Sequence, residues 1–88
     1  MARSLLFIPD AWEQYSYWLQ TDKDIAQRIN VLIKDCLRTP FEGVGKPEPL
    51  KGNFKGYWSR RINQEHRLVY KVYGDILEIA QCRFHYKK

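Results

Sequence analysis

The 88-residue sequence predicts one α+β domain with the element order β-α-α-β-β-β, in which two N-terminal helices pack on a mainly antiparallel, twisted sheet. Two observations support this prediction. Apolar side chains recur at three- and four-residue steps through residues 11–37, whereas residues 57–84 contain short alternating runs separated by turn residues. The chain has no repeat, linker or low-complexity tract, so we expect residues 1–88 to form a single domain.

The first predicted strand and helix lie within residues 4–20. Residues 4–8 are mainly apolar and are followed by Pro9, which suits a short strand. Asp10 is then the predicted helix N-cap, with Glu13 three residues later as in a capping box. Aromatic and apolar side chains at helical spacing place the first helix at about residues 11–20.

The second predicted helix follows directly. Residues 21–24 provide another cap and early acidic residues, and Thr39-Pro40 ends the helix because the residue before a proline avoids the helical region. Its apolar stripe comprises Ile25, Ile29, Leu32, Ile33, Cys36 and Leu37. Cys36 and Cys82, the latter inside a predicted strand, are too few and too far apart for a disulfide scaffold or a zinc site. We expect both to be buried small hydrophobes.

The second half of the chain begins with a loop and ends with three strands. Residues 40–56 are rich in proline and glycine, and a loop of this length in a small domain is usually functional. Glu48 lies in this loop between two prolines. The strands are predicted at residues 57–62, 65–73 and 76–84, with turns between them.

Positive charge is concentrated in the second half. Residues 1–45 carry five basic and six acidic residues, whereas residues 46–88 carry ten basic and four acidic residues. Such an asymmetry indicates a polyanionic partner, of which nucleic acid is the commonest, and a well-solvated lysine-rich surface is the alternative. No stretch has the length of a signal-peptide core or a membrane span, so we expect a cytoplasmic protein without a membrane partner.

Three residues of the cationic half have the side chains that RNA cleavage requires. A 2′-hydroxyl that attacks the adjacent phosphorus needs a proton acceptor, a proton donor for the departing 5′ oxygen, and cations around the phosphate. We predict Glu48 as the acceptor, Arg67 as the cation and His85 as the donor. The sequence lacks the clustered acidic and histidine residues of a metal nuclease, and we expect no metal or other cofactor.

Each of these residues also has a simpler structural interpretation. Glu48 equally suits a solvated loop carboxylate, Arg67 a surface ion pair with Glu65 or Glu78, and His85 a frayed chain end. Singly the three signals are weak, and together they favour RNA cleavage modestly over RNA binding without cleavage.

Three further residues are predicted to contact the substrate through positive charge or ring stacking: Lys51, Arg61 and Tyr86. Arg60 and Arg61 project to opposite faces of one strand, so at most one of them shares a face with Arg67. His66 projects to the face opposite Arg67, and we assign it a structural role.

Long, uninterrupted motifs extend through the second half of the chain: Thr39-Pro40-Phe41-Glu42-Gly43, Gly45-Lys46-Pro47-Glu48-Pro49-Leu50-Lys51, Trp58-Ser59-Arg60-Arg61-Ile62, Glu65-His66-Arg67-Leu68-Val69-Tyr70 and Cys82-Arg83-Phe84-His85-Tyr86. With Trp12, Tyr15, Tyr17 and Trp18 they closely resemble the YoeB toxins, the Txe/YoeB branch of the RelE-like superfamily of bacterial toxin–antitoxin systems. The resemblance covers nearly the whole chain and differs at the end, where Lys87-Lys88 follow the terminal tyrosine of the family.

The resemblance implies a microbial-RNase-like, RelE-like fold and an endoribonuclease that cuts messenger RNA in the ribosomal A site. In that family the residues that match Glu48, Arg67 and His85 act as general base, transition-state stabiliser and general acid. The residue that matches Tyr86 helps to position the RNA.

The resemblance also implies partners. The family is neutralised by a YefM-like antitoxin, the toxin–antitoxin complex represses its own operon at operator DNA, and the toxins are commonly homodimers. The alternative function is a module that binds RNA or the ribosome without cutting, or an antitoxin-dependent transcriptional co-repressor. An unrelated DNA-binding regulator is poorly supported, because no recognition-helix pattern is present.

Overall fold

The computed structural model describes residues 3–85, which form two helices, five strands and one 3₁₀ turn. The elements are β1 (Ser4–Phe7), α1 (Pro9–Thr21), α2 (Lys23–Arg38), β2 (Glu48–Pro49), the 3₁₀ turn Gly52–Phe54, β3 (Trp58–Arg61), β4 (Arg67–Tyr73) and β5 (Ile76–Gln81). The predicted α+β class is confirmed. Within the described residues, no helix combines the length and the apolar composition needed to cross a membrane.

The strands form one sheet in the order β1-β5-β4-β3-β2. Only the edge pair β1–β5 is parallel, so the predicted mainly antiparallel sheet is confirmed for the described part of the chain. The expectation that residues 40–56 are loop is wrong at β2 and at the 3₁₀ turn. A two-residue strand is too short to produce an alternating pattern, and its pairing partner β3 is brought to it by the tertiary structure.

The predicted N-cap at Asp10 is wrong. Helix α1 begins at Pro9, and its N-cap is Ile8, whose side chain makes no capping hydrogen bond. Proline is tolerated in the first turn because the N–H group that it lacks would have no helical partner there. Asp10 lies inside that turn, where negative charge interacts favourably with the helix dipole. The cap of α2 is Asp22, whose carboxylate accepts a hydrogen bond from the backbone N–H of Ile25 at 3.3 Å.

The hydrophobic core lies between the two helices and one face of the sheet. The helices contribute Ala11, Trp18, Ala26, Ile29, Leu32, Ile33 and Cys36, and the sheet contributes Leu68, Tyr70, Leu77 and Ile79. Both cysteines are buried, as expected, although Cys82 follows β5 instead of lying inside it. Burial raises the pKa of the Cys36 thiol to about 11 and that of Cys82 to about 12.

Arg60 is a fully buried cation that holds the loop between α2 and β2. Its guanidinium donates to the carboxylate of Asp35 at 2.5 Å and to the backbone carbonyls of Thr39, Glu42 and Val44 at 2.6, 2.9 and 3.0 Å. The bond from Arg60, with a second bond from the backbone N–H of Val44, holds the pKa of Asp35 below its ordinary value. The loop that leads into β2 is therefore anchored to β3 through buried charge.

Both C-terminal strands are shorter than predicted. Strand β4 begins at Arg67 instead of Glu65, because the Asn63 side chain accepts the backbone N–H of Glu65 at 2.9 Å and closes a turn. Strand β5 ends at Gln81 instead of Phe84, whose left-handed backbone (φ 69°) cannot continue a strand.

Candidate active site on the sheet face opposite the helices

Strand register places two of the three predicted catalytic residues on one face of the sheet. Glu48 of β2 pairs with Ser59 of β3, and Ser59 pairs with Val69 of β4, while Arg61 pairs with Arg67 two residues further along. Directly paired residues of antiparallel strands project to the same face. The alternate residues of β4 belong to the helix-packed core, so Glu48, Arg61 and Arg67 project away from the helices.

The register also sets the size of the site. Glu48 and Arg67 lie two strands apart with an offset of two residues. A strand spacing of about 4.8 Å and a rise of about 3.3 Å per residue put their Cα atoms about 12 Å apart. That separation leaves room for a phosphodiester group between the two side chains.

Backbone contacts hold Glu48 and leave its carboxylate in solvent. After β2, the N–H of buried Leu50 donates to the carbonyl of Tyr57 at 2.9 Å. Before β2, the carbonyl of Gly45 accepts the N–H of Arg61 at 2.7 Å. No hydrogen bond or ion pair from elsewhere in residues 3–85 engages the Glu48 carboxylate, which is therefore accessible to a substrate.

Arg67 is only 9% exposed and uses one end of its guanidinium to hold the β3–β4 turn. Its Nη1 donates to the carbonyls of Asn63, Gln64 and His66 at 2.7, 3.3 and 3.1 Å. Its Nε and Nη2 donate to no group within residues 3–85. These two nitrogens form an edge of the guanidinium with the fork geometry that matches two phosphate oxygens.

The surface ion pair considered for Arg67 does not form within the described residues. The carboxylate of Glu65 lies 3.6 Å from the Nε2 of His66, and the carboxylate of Glu78 accepts the hydroxyl of Tyr73 at 3.1 Å. Both glutamates are therefore directed elsewhere, and no carboxylate within residues 3–85 forms an ion pair with the guanidinium of Arg67.

His85 follows a turn that contacts two other elements. The indole Nε1 of Trp18 in α1 donates to the carbonyl of Cys82 at 2.9 Å. The backbone N–H of Arg67, at the start of β4, donates to the carbonyl of Phe84 at 3.0 Å. Because Phe84 precedes His85 directly, this bond brings His85 to the end of the sheet that carries Arg67.

Two adjoining clefts meet at Phe54 and Gln81. The first, of about 310 Å³, is lined by Gln14, Phe54, Gln81, Arg83, Phe84 and His85. The second, of about 220 Å³, is lined by Asn53, Phe54, Tyr57, Val69, Ala80 and Gln81. Asn53 and Phe54 of the 3₁₀ turn thus line one cleft with Val69. Val69 belongs to the row of paired residues that runs from Glu48 of β2 through Ser59 of β3 to Gln81 of β5. Aromatic rings beside cationic side chains are the surface on which single-stranded bases stack.

The residues predicted to bind substrate fall in different places. Arg61 is exposed on the face that carries Arg67, whereas Arg60 is buried on the opposite side, as the alternation along β3 requires. Lys51 is exposed at the start of the 3₁₀ turn. Tyr86 lies outside the described residues. Among residues 3–85, no group of three or more His, Cys, Asp or Glu side chains is arranged to hold a metal ion.

Three side chains that were not predicted from the sequence hold the turn before His85: Gln14, Gln81 and Arg83. The side-chain carbonyl of Gln14 accepts the N–H of Cys82 at 2.8 Å, and the guanidinium carbon of Arg83 lies 3.7 Å from the centre of the Tyr17 ring. No local pattern marks these residues. The Gln14–Cys82 bond, for example, joins residues 68 positions apart.

The chain is similar to known bacterial toxins over nearly its whole length. Residues 7–86 match the family model described as the YoeB-like toxin of bacterial type II toxin-antitoxin system. The chain is 61% identical to Toxin YoeB of Escherichia coli (strain K12) over 82 residues, which cover 93% of this chain and 98% of that protein. It superposes on a solved YoeB/ParE toxin from Agrobacterium tumefaciens with a TM-score of 0.93 and 53% identity, covering 94% of this chain and 99% of that chain.

Two solved structures from Staphylococcus aureus are also similar. One is a YoeB dimer, with a TM-score of 0.89, and the other is a heterotetrameric complex of the toxin YoeB with the antitoxin YefM, with a TM-score of 0.88. Each is 49% identical to this chain and covers 96% of it and 98% of the solved chain.

Two helices on one face of a five-stranded sheet, with Glu48, Arg61 and Arg67 on the other face, form the architecture of the RelE-like toxins. Both the family model and the close relatives extend over nearly all of the sequence. The chain belongs to the YoeB-like toxins of bacterial type II toxin–antitoxin systems.

Proposed function

We propose that this toxin is an endoribonuclease that cuts messenger RNA in the A site of the ribosome and so inhibits translation. One observation carries the proposal. Glu48 and Arg67 share a sheet face, and the backbone of Arg67 is bonded to the residue that precedes His85. A carboxylate, a guanidinium and an imidazole are the groups that metal-independent RNA cleavage uses.

The proposed reaction is a transesterification within the RNA chain. Glu48 removes the proton from a 2′-hydroxyl, whose oxygen attacks the adjacent phosphorus. The bond from phosphorus to the 2′ oxygen forms while the bond to the 5′ oxygen breaks, and His85 gives a proton to the departing oxygen. One proton is removed and one is returned, and the products are a 2′,3′-cyclic phosphate and a 5′-hydroxyl.

Arg67 is proposed to stabilise the negative charge that grows on the phosphoryl oxygens. Its Nη1 is held by the turn carbonyls, so the Nε–Nη2 edge is presented in a fixed orientation. Donors that are oriented before the reaction cost no reorganisation when the charge develops. Burial to 9% exposure also strengthens the interaction with phosphate, because less water screens it.

Substrate binding is proposed for Lys51, Arg61 and Tyr86. Lys51 and Arg61 are exposed cations near β2 and on β3, where they suit contacts with the RNA backbone. Tyr86 is proposed to stack on a base, as aromatic side chains do in single-strand recognition. We propose no metal or other cofactor, since side chains fill all three roles.

We expect the ribosome to complete the site. The Glu48 carboxylate is exposed, and no contact from residues 3–85 orients it toward a 2′-hydroxyl. A bound ribosome excludes water and aligns the message. Cleavage of naked RNA at the same rate as ribosome-bound message would contradict this expectation.

We propose that the toxin is neutralised by a YefM-like antitoxin, forms a homodimer, acts in the cytoplasm and reaches operator DNA only within the antitoxin complex. The solved S. aureus complex with YefM supports the proposed antitoxin, and the solved S. aureus YoeB dimer supports the proposed homodimer. An apolar groove beside β1, lined in part by exposed Leu5, Trp12 and Val31, offers a surface that a partner covers.

Primer extension on a defined message in programmed ribosomes tests the proposed nuclease. The protein is compared with His85→Ala, with Glu48→Gln and with Glu13→Gln, which alters an exposed helix carboxylate as a matched control. We expect one A-site cut from the parent and the control, and a rate about 10²–10⁴-fold lower in the two site variants. Arrested translation with intact message would contradict the proposed nuclease. The alternatives would then be a module that binds the ribosome without cutting or an antitoxin-dependent transcriptional co-repressor.

A further inference from the structure

The turn before His85 has a backbone conformation that its own residues disfavour. Phe84 has a φ of 69°, in the left-handed region. A side chain with a Cβ is crowded there by the following carbonyl oxygen, and a bulky residue adopts it only when its surroundings impose it. The position of His85, one residue later, therefore depends on contacts made by other parts of the chain.

His66 makes the shortest of these contacts. The backbone N–H of Phe84 donates to the Nδ1 of His66 at 2.6 Å. The carbonyl of the same residue accepts the N–H of Arg67 at 3.0 Å and the side-chain amide of Gln81 at 3.0 Å. Both backbone polar groups of Phe84 are thus bound, and the bond to its N–H comes from the His66 side chain.

The bond to Phe84 defines the state of the His66 ring. A backbone amide only donates, so Nδ1 must be unprotonated and the proton of the neutral ring must be on Nε2. The ring is 6% exposed and lies edge-on to Trp18, with their centres 4.9 Å apart. Close packing on α1 leaves the imidazole little freedom to turn, so Nδ1 is a fixed acceptor.

We propose that His66 is a positioning residue for His85. By accepting the N–H of Phe84 it holds the left-handed turn that presents His85 beside Arg67, without itself touching the RNA. This inference rests on the proposed function only for the catalytic role of His85. The ordering of the turn by His66 is a property of the protein alone.

Two substitutions separate the hydrogen bond from the packing of the ring. His66→Leu and His66→Asn both remove the imidazole from its contact with Trp18. Asparagine places its Oδ1 close to the position of the imidazole Nδ1 and can accept the same N–H, whereas leucine cannot. Tyr73→Phe, which removes an exposed hydrogen bond to Glu78, is the control for a lost bond elsewhere.

The first measurement is single-turnover cleavage of message in programmed ribosomes, over a range of toxin concentrations. For His66→Leu we expect a maximal rate about 10–100-fold lower, with the half-saturating concentration changed less than about 3-fold, because misplacement of a catalytic group slows the chemical step. His66→Asn should recover most of the rate, and Tyr73→Phe should match the parent. Equal rates for the leucine and asparagine variants would overturn the proposal.

The second measurement needs no activity. In the parent, the ¹⁵N nuclei of the Phe84 amide and His66 Nδ1 should show scalar coupling across the hydrogen bond, and ¹⁵N relaxation should show an ordered His85 amide. Order at His85 should fall in His66→Leu and return in His66→Asn. An unchanged His85 amide in the leucine variant would overturn the proposal. A parent that cuts no message would overturn the proposed function, and the relaxation data would still decide the role of His66.

Discussion

The buried guanidinium of Arg60 offers the sharpest test of what holds this fold together. Arg60→Met keeps an unbranched apolar side chain of similar reach and removes all the hydrogen-bond donors. The substitution leaves the Asp35 carboxylate without its buried cation and leaves the carbonyls of Thr39, Glu42 and Val44 without their shared donor.

The expected loss follows from these contacts. Removing one partner of a buried ion pair costs about 3–5 kcal/mol. The lower end applies here, because Asp35 retains bonds from Arg38 and from the N–H of Val44, and its side chain is 15% exposed. A domain of this size has a free energy of unfolding of about 4–13 kcal/mol, so a loss of about 3 kcal/mol is a large part of it. The melting temperature should fall by about 12–24 °C.

Urea denaturation followed by tryptophan fluorescence and far-UV circular dichroism measures this loss. Arg61→Met is the matched control, since it changes the same residue type at the next position but on an exposed side chain. The control should change the free energy of unfolding by less than about 0.5 kcal/mol. If Arg60→Met loses less than about 1 kcal/mol, the buried network does not stabilise the fold as argued.

Three further predictions concern charge, thiols and backbone. Folding lowers the pKa of Asp35, so the ionised carboxylate stabilises the folded protein. This contribution to the free energy of unfolding is complete above the ordinary carboxyl pKa of about 3.9 and is lost as the pH falls through the lower pKa of the folded state. The difference in unfolding free energy between the parent and Asp35→Asn should therefore shrink below about pH 4, and a pH-independent difference would contradict the ion pair. Burial and raised pKa values should keep Cys36 and Cys82 unreactive toward a disulfide reagent at about pH 8 until the protein unfolds, and rapid labelling of the native protein would refute their burial. Gly45→Ala should destabilise the protein by about 2–4 kcal/mol in urea denaturation, since φ is +84° and the added Cβ would lie 2.8 Å from a leucine side chain of α2. Gly52→Ala, with φ +64° and no atom within 4 Å of the added Cβ, should cost only about 1 kcal/mol, and equal losses for the two would contradict the packing argument.

Helices and strands that are marked by a repeating pattern of residues close together in the chain could be predicted from the sequence. The apolar stripe of α2 repeats at three- and four-residue steps, and the structure buries Ile29, Leu32, Ile33 and Cys36 from it. The start of α1 was less predictable, because Asp10 and Pro9 are both favourable residues for a helix start and compete for the first position. The short strand β2 produces no repeating pattern at all.

In the candidate site, the residue types could also be predicted from the sequence, whereas their spatial arrangement could not. Residue type alone marked Glu48, Arg67 and His85, because RNA cleavage needs their chemical groups. Their arrangement depends on strand register and on the bond between Arg67 and Phe84, which sequence patterns do not specify. Tyr86, predicted to stack on a base, remains a prediction.

By itself, the sequence determined the α+β class, the helical and alternating segments and the family, because each is recorded in patterns of nearby residues. Only the tertiary structure decided that β1 pairs in parallel with β5 and that β5 ends at Gln81. It also decided that Arg60 is buried while its neighbour Arg61 is exposed. These outcomes depend on hydrogen bonds and packing between residues tens of positions apart in the sequence. Such contacts form, and contribute to stability, only when the chain has folded.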